Sequence, residues 1–165
     1  MRFPSPLGYL GRYAVNLGAF MNSKDIAKIE SCFDVSLDND YKRLLIGFPE
    51  TLKKLVSVEE CQEFRPIYPD AKTIIKVNKE VRDPARVNSH NPEWPKKYLV
   101  IGGNCGGNFY CLDTKSKTGA VRFWFHEDGD FEKHAKSIQE FVVKTFTSCG
   151  EIAADELNFV DVDTA

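Results

Sequence analysis

YLVIGGNCGGNFYCLD, residues 98–113, decides how the rest of the chain must fold. Two apolar runs flank a turn in which Gly102, Gly103, Gly106 and Gly107 crowd around Asn104 and Cys105. Such a segment can be a phosphate cradle, a nucleophile loop or a bend between two strands. A phosphate cradle places its glycines at the start of a helix, where backbone N–H groups and the helix dipole meet the anion. Here strand-like runs stand on both sides and no Lys-Ser/Thr pair follows, so the phosphate and dinucleotide readings fail on context. A nucleophilic Cys105 needs a base and an electropositive setting. His90, His126 and His134 are the only histidines, and nothing in the sequence brings one to it. The favoured reading is a bend that lets two core strands pack closely. Gly106 and Gly107 are then expected at positive φ, their replacement by Val is expected to destabilise the fold, and any partner surface is expected elsewhere.

Outward from the bend, residues 98–101, 108–112 and 120–125 read as strands, the last two joined by the polar, glycine-ended linker TKSKTG, a hairpin signal. The run VRFWF, broken only by Arg122, implies a strand covered on part of both faces. Phe131, Ala135, Ile138, Phe141, Val142 and Phe146 recur every three or four positions, which predicts one amphipathic helix over residues 130–147, closed by Gly150. Upstream, Ser23 is expected to cap a helix carrying Ile26, Ile29 and Phe33, and Asp38 one carrying Tyr41, Leu44 and Leu45, ended by Gly47 and Pro49. Ser57 and Glu60 form a capping box for a short third helix. Residues 73–77, TIIKV, read as a strand because β-branched side chains dominate, and Asn78–Pro95 as a long loop. Helices first, an antiparallel meander in the middle and a late helix predict a single α+β domain, an antiparallel sheet with surrounding helices. Residues 1–22 read as an arm, 23–150 as the domain and 151–165 as an acidic tail whose Leu157–Val160 suits an edge strand.

Composition narrows the function. A chain of 165 residues, 42% apolar and 28% charged, is that of an average globular domain, neither disordered nor fibrous. Its hydrophobic runs fall short of the roughly 20 residues a bilayer crossing needs. Pro4, Pro6, Gly8, Gly11, Asn16 and Gly18 break any signal-like run, so the chain reads as cytoplasmic. Cys32, Cys61, Cys105, Cys111 and Cys149 are odd in number, with no C-x-x-C, which points to reduced thiols. Cys105, Cys111, His126 and His134 match no zinc spacing, so no metal is expected. A net charge of −2, with Lys and Arg dispersed, argues against direct nucleic-acid binding. Residues 126–165 nevertheless hold ten Asp and Glu against three Lys, while residues 1–125 hold nineteen basic against fourteen acidic residues. An acidic face is expected, with Glu127, Asp128, Asp130, Asp155 and Glu156 as candidate partner-binding residues, although the plainer reading of HEDGD, residues 126–130, is a turn leading into a helix N-terminus.

The order of these segments resembles the SUKH superfamily, which includes bacterial immunity proteins of polymorphic toxin systems and fungal regulators of the Smi/Knr type. The strand Tyr98–Gly102 resembles the family strand entering its glycine pair. Gly106 and Gly107 match that pair, Tyr110 and Asp113 the aromatic and acidic positions of the next strand, and His126 a strand-end position. Ile29 and Glu30 fit the first helix, Leu37 and Tyr41 the second. The chain departs from the pattern at Asp38, where the family usually has Pro, and at IGFPE, residues 46–50, where an Asn-Gly-Gly often stands. The resemblance, over residues 23–147, implies a non-catalytic binding module without a cofactor, whose partner is a protein, expected to be a toxin domain held in an inactive complex. The rivals are a Smi/Knr-like scaffold with a cellular partner and an enzyme using Cys105.

Overall fold

In a computed structural model, the structure describes residues 21–47, 65–89, 91–104 and 106–147. The Ser57–Glu60 box, His90, Cys105 and the tail with Asp155, Glu156 and Leu157–Val160 lie outside the described residues, as does nearly all of the arm.

Helix α1, Ser23–Phe33, is capped one residue earlier than expected. The Asn22 side chain accepts from the amides of Lys24 and Asp25, and Asp25 returns a bond to the Asn22 amide. Helix α2, Asn39–Ile46, starts on Asp38 and ends at Gly47 as its sequence predicts. Glu30 ties the two together, accepting from the Leu37 amide at 2.8 Å and pairing with Lys42 at 2.7 Å.

The expected strand at 73–77 is instead part of helix α3, Ala71–Val81. Asp70 caps it, accepting from the Thr73 amide and hydroxyl, both at 2.7 Å. Ala71, Ile74, Ile75 and Asn78 form its buried stripe, at helical spacing. Burial of that stripe overrides the weak β-preference of Thr73, Ile74, Ile75 and Val77. The expected loop therefore shortens, and its start holds a 3-10 turn at Pro84–Arg86.

The sheet is a four-stranded antiparallel meander: β1 Tyr98–Gly103, β2 Phe109–Asp113, β3 Val121–Trp124 and β4 Phe131–Ala135, in that spatial order. Strand β4 corrects the single helix expected over 130–147. Gly129, at φ +76°, turns the chain back on β3, and helix α4 begins only at Ile138. Its start is legible: Ser137 accepts from the Glu140 amide and Glu140 from the Lys136 amide, a capping signal inside the run. Phe131 and Ala135 matched the helical period because a four-residue step also keeps a strand residue on one face.

The row Leu99, Leu112, Val121 and Ala135 is buried across all four strands. On the same side, Phe141 of α4 packs against Tyr110 and His134. Helix α3 packs on β1, α1 on α3, and α2 on α4. Along the opposite row, exposure rises from buried Val100 and Cys111 through Arg122 to exposed Lys133.

The outer edge of β1 is closed by specific bonds. Asn78, fully buried, accepts from the Val100 amide at 2.9 Å and donates to its carbonyl at 2.8 Å. The Tyr98 carbonyl accepts from Arg82 at 2.8 Å and Trp94 at 2.7 Å, the Ile101 carbonyl accepts from the Tyr68 amide, and Gly103 exchanges two backbone bonds with Arg65. This close approach explains Gly102, whose added Cβ would overlap the Pro66 carbonyl.

Candidate protein-binding surface

An antiparallel meander brings the β1–β2 loop, residues 104–108, and the β3–β4 turn, residues 125–130, to the same end of the sheet. Asn104 organises the loop, its side-chain oxygen accepting from the Gly106 amide at 3.0 Å and the Asn108 amide at 3.1 Å. Gly107 stands at φ +80°, as expected, but Gly106 does not have positive φ, and a Cβ there would meet only ordinary contacts of 3.4 Å or more. Gly106 is therefore not the positive-φ position that the sequence predicts.

The loop is clamped to the turn. Asn108 Oδ1 accepts from the His126 amide at 3.0 Å and lies 2.9 Å from His126 Nδ1, a second bond in the tautomer protonated there. Within the turn, Gly129 donates to the Phe125 carbonyl, Phe125 to the Asp130 carbonyl, and Asp130 to an Asp128 side-chain oxygen. The turn holds Glu127, Asp128 and Asp130 exposed side by side, and it leads into a strand, not the helix N-terminus that the plainer reading of HEDGD expects. Pro92 lies against Gly129, which brings exposed Glu93 to the same end. The glycine bend thus adjoins the acidic residues.

Beside the acidic turn lies a group of aromatic rings. Trp94 meets Trp124 and Phe131 edge-on at 5.3 and 5.1 Å between centroids, and Phe109 stacks on Trp124 at 5.4 Å. Trp94 is buried, whereas Phe109, Trp124 and Phe131 are half-buried. Each such contact contributes about 0.5–1.5 kcal/mol beyond area burial, so the group is held in a fixed shape. No spacing in the sequence marks the meeting of Trp94 and Trp124, because it depends on the register of β2 and β3.

The opposite end of the sheet is cationic. Lys96, Lys97, Lys115, Lys117 and Lys136 are exposed there, held together by bonds from Thr114 to the Lys97 carbonyl and from Thr118 to the Lys136 carbonyl. Among the described residues, the acidic turn and these lysines thus stand at opposite ends of the sheet.

The remaining candidates are placed differently. Tyr110 is buried among Phe123, His134 and Phe141, and Asp113 braces the β2–β3 connection by accepting from the Lys115 amide. His134 sits on β4, not on a helix, and burial, reinforced by Lys144, lowers its pKa. Cys111 is fully buried, and that burial pushes its thiol pKa up. Among the described residues, no three His, Cys, Asp or Glu side chains stand together to hold a metal. Depressions lined by Ser137 and Lys144 and by Asn39 and Gly47 are open to solvent.

A family profile described as the SMI1 / KNR4 family (SUKH-1) matches residues 21–144. No curated protein and no solved structure is significantly similar to the chain.

Proposed function

The chain belongs to the SMI1 / KNR4 family (SUKH-1), and on that premise we propose that it is a protein-binding module that holds a cationic partner against the acidic end of its sheet. The partner is a toxin domain, a nuclease being the expected kind, and the chain acts in the cytoplasm as its immunity protein. It works by stoichiometric complex formation, without a cofactor or a catalytic step. The observation carrying this reading is the clamp between Asn108 and His126, which fixes three exposed carboxylates beside a half-buried aromatic group. Fixed charges of one sign steer an oppositely charged protein into encounter and reject wrong partners, and aromatic side chains supply the anchoring contact. The tail carboxylates Asp155 and Glu156, expected to belong to the acidic face, would add to the same field.

The test is co-purification of the tagged chain with the product of the adjacent gene, followed by assay of that product's activity. A one-to-one complex that is inactive, and that dissociates when Glu127, Asp128 and Asp130 are all changed to Lys, supports the reading. A complex with a cellular protein that stays active would instead identify a regulatory scaffold of the same fold. A complex indifferent to the triple change would remove this surface from the interface.

A further inference from the structure

The sheet has two edges, and they are finished differently. On β1 the outward groups of Tyr98, Val100, Ile101 and Gly103 are taken by Arg82, Trp94, Asn78, Tyr68 and Arg65. On β4 the ladder can be followed from the Phe125 amide, which donates to the Asp130 carbonyl, to Phe123 opposite Glu132. Alternation then turns the backbone N–H and C=O groups of Phe131 and Lys133 away from β3. These groups have no hydrogen-bond partner among the described residues. A run of unpaired groups is a template for one more strand.

The side chains around this edge select its occupant. A second copy pairing antiparallel about a twofold axis has three registers that use the outward groups. They place Asp130 opposite Glu132, Glu132 opposite Glu132, or Lys133 opposite Lys133, and like charges directly opposite are destabilising. The chain's own Leu157–Val160 is flanked by Asp155 and Glu156 on one side and Asp161 on the other, so in either direction an acidic flank would meet the acidic turn. What fits is a strand from another protein that alternates basic and apolar residues. Its basic side chains lie over Asp130 and Glu132, which share one side of β4, and its apolar ones over Phe131 and the Lys133 stem on the other.

We propose that the partner binds by adding such a basic–apolar strand to the β4 edge, continuous with the acidic turn. This rests on the protein-binding reading above and names the binding mode. The test uses the full chain, isotope-labelled for amide NMR, and a blocked synthetic heptapeptide of alternating Val and Lys, with a Val/Glu peptide as control. The Val/Lys peptide shifts the Phe131 and Lys133 amide resonances and slows their hydrogen exchange about tenfold at saturation, and the Val/Glu peptide does not. Lys133→Pro, which removes one outward N–H, weakens binding about fivefold or more, whereas Lys133→Ala does not. If Lys133→Pro fails to fold, the exchange at Phe131 in the unaltered chain decides. Shifts confined to Glu127, Asp128 and Asp130, with Lys133→Pro binding like Lys133→Ala, overturn strand addition while leaving the acidic surface as the binding site. Absence of any shift at Phe131 and Lys133 likewise overturns it, and the co-purification experiment then judges the wider reading alone.

Discussion

Replacing Asn78 by Ala should cost more stability than almost any other single change of a polar residue in this domain. The amide is fully buried, donating to the Val100 carbonyl at 2.8 Å and to the Ile74 carbonyl at 2.9 Å, while its oxygen accepts from the Val100 amide at 2.9 Å. The same oxygen accepts from Arg82 at 2.6 Å, and Arg82 in turn holds the Tyr98 carbonyl. Ile74 keeps its place in the helix without the side chain, so the loss falls on Val100. Its N–H and C=O are left buried and unpaired, at about 1–3 kcal/mol each, for a total of about 2–6 kcal/mol. Loosening of Arg82 pushes the value towards the middle of that range. At about 3 °C per kcal/mol for a domain of this size, the melting temperature should fall by about 10 °C. Asn78→Asp keeps the acceptor for Val100 and Arg82 but faces the Val100 carbonyl with an anion, so it should also destabilise. The assay is urea unfolding followed by Trp fluorescence, with the m-value checked for constancy. A loss below about 1 kcal/mol would refute the argument that this side chain closes the β1 edge.

Four further changes test other parts of the structure. Gly102→Ala should destabilise strongly in thermal melts because its Cβ would overlap the Pro66 carbonyl, whereas Gly106→Ala should melt within about 1 °C of the parent, its Cβ having room. Tyr41→Phe should leave the melting temperature unchanged or raise it, since the Tyr41 hydroxyl is buried with no hydrogen-bond partner among the described residues; a drop of several degrees would show a partner for it. His134 has its pKa lowered in the fold, so the unfolded chain binds its proton first as pH falls. The contribution is present above the ordinary value of 6.5 and is lost as pH falls from there through the folded value. The urea midpoint should decline across that window, and less steeply in His134→Gln; equal slopes would contradict the assignment.

Much of the fold was legible because its signals are local. Asp38 caps α2 and Gly47 ends it, and the polar linker between β2 and β3 is a hairpin connection, all as the sequence predicts. The errors came where one pattern served two structures. TIIKV is β-prone in isolation, and only the burial of Ile74, Ile75 and Asn78 against β1 makes it helical. Phe131 and Ala135 fit a helical stripe until Gly129 turns them into a strand, and Ser137 with Glu140 was the overlooked stop to that reading. Of the candidate surface, the acidic turn was visible as charge. Its neighbours Glu93, Trp94 and Trp124 were not, because they come together only through strand register and the packing of residues 92–94. The glycine bend was read correctly as strand–turn–strand, but its contact with the acidic turn depends on the side chain of Asn108, which no spacing rule marks.

In the proposed function, the acidic end of the sheet draws in and holds a cationic protein. The most direct test is the association rate of the co-purified partner with the parent chain and with the Glu127→Lys, Asp128→Lys, Asp130→Lys triple variant, measured against salt. The variant should associate at least about tenfold more slowly in about 20 mM salt, with the two rates converging in about 500 mM. Equal rates and equal salt slopes, in a variant that melts like its parent, would contradict it.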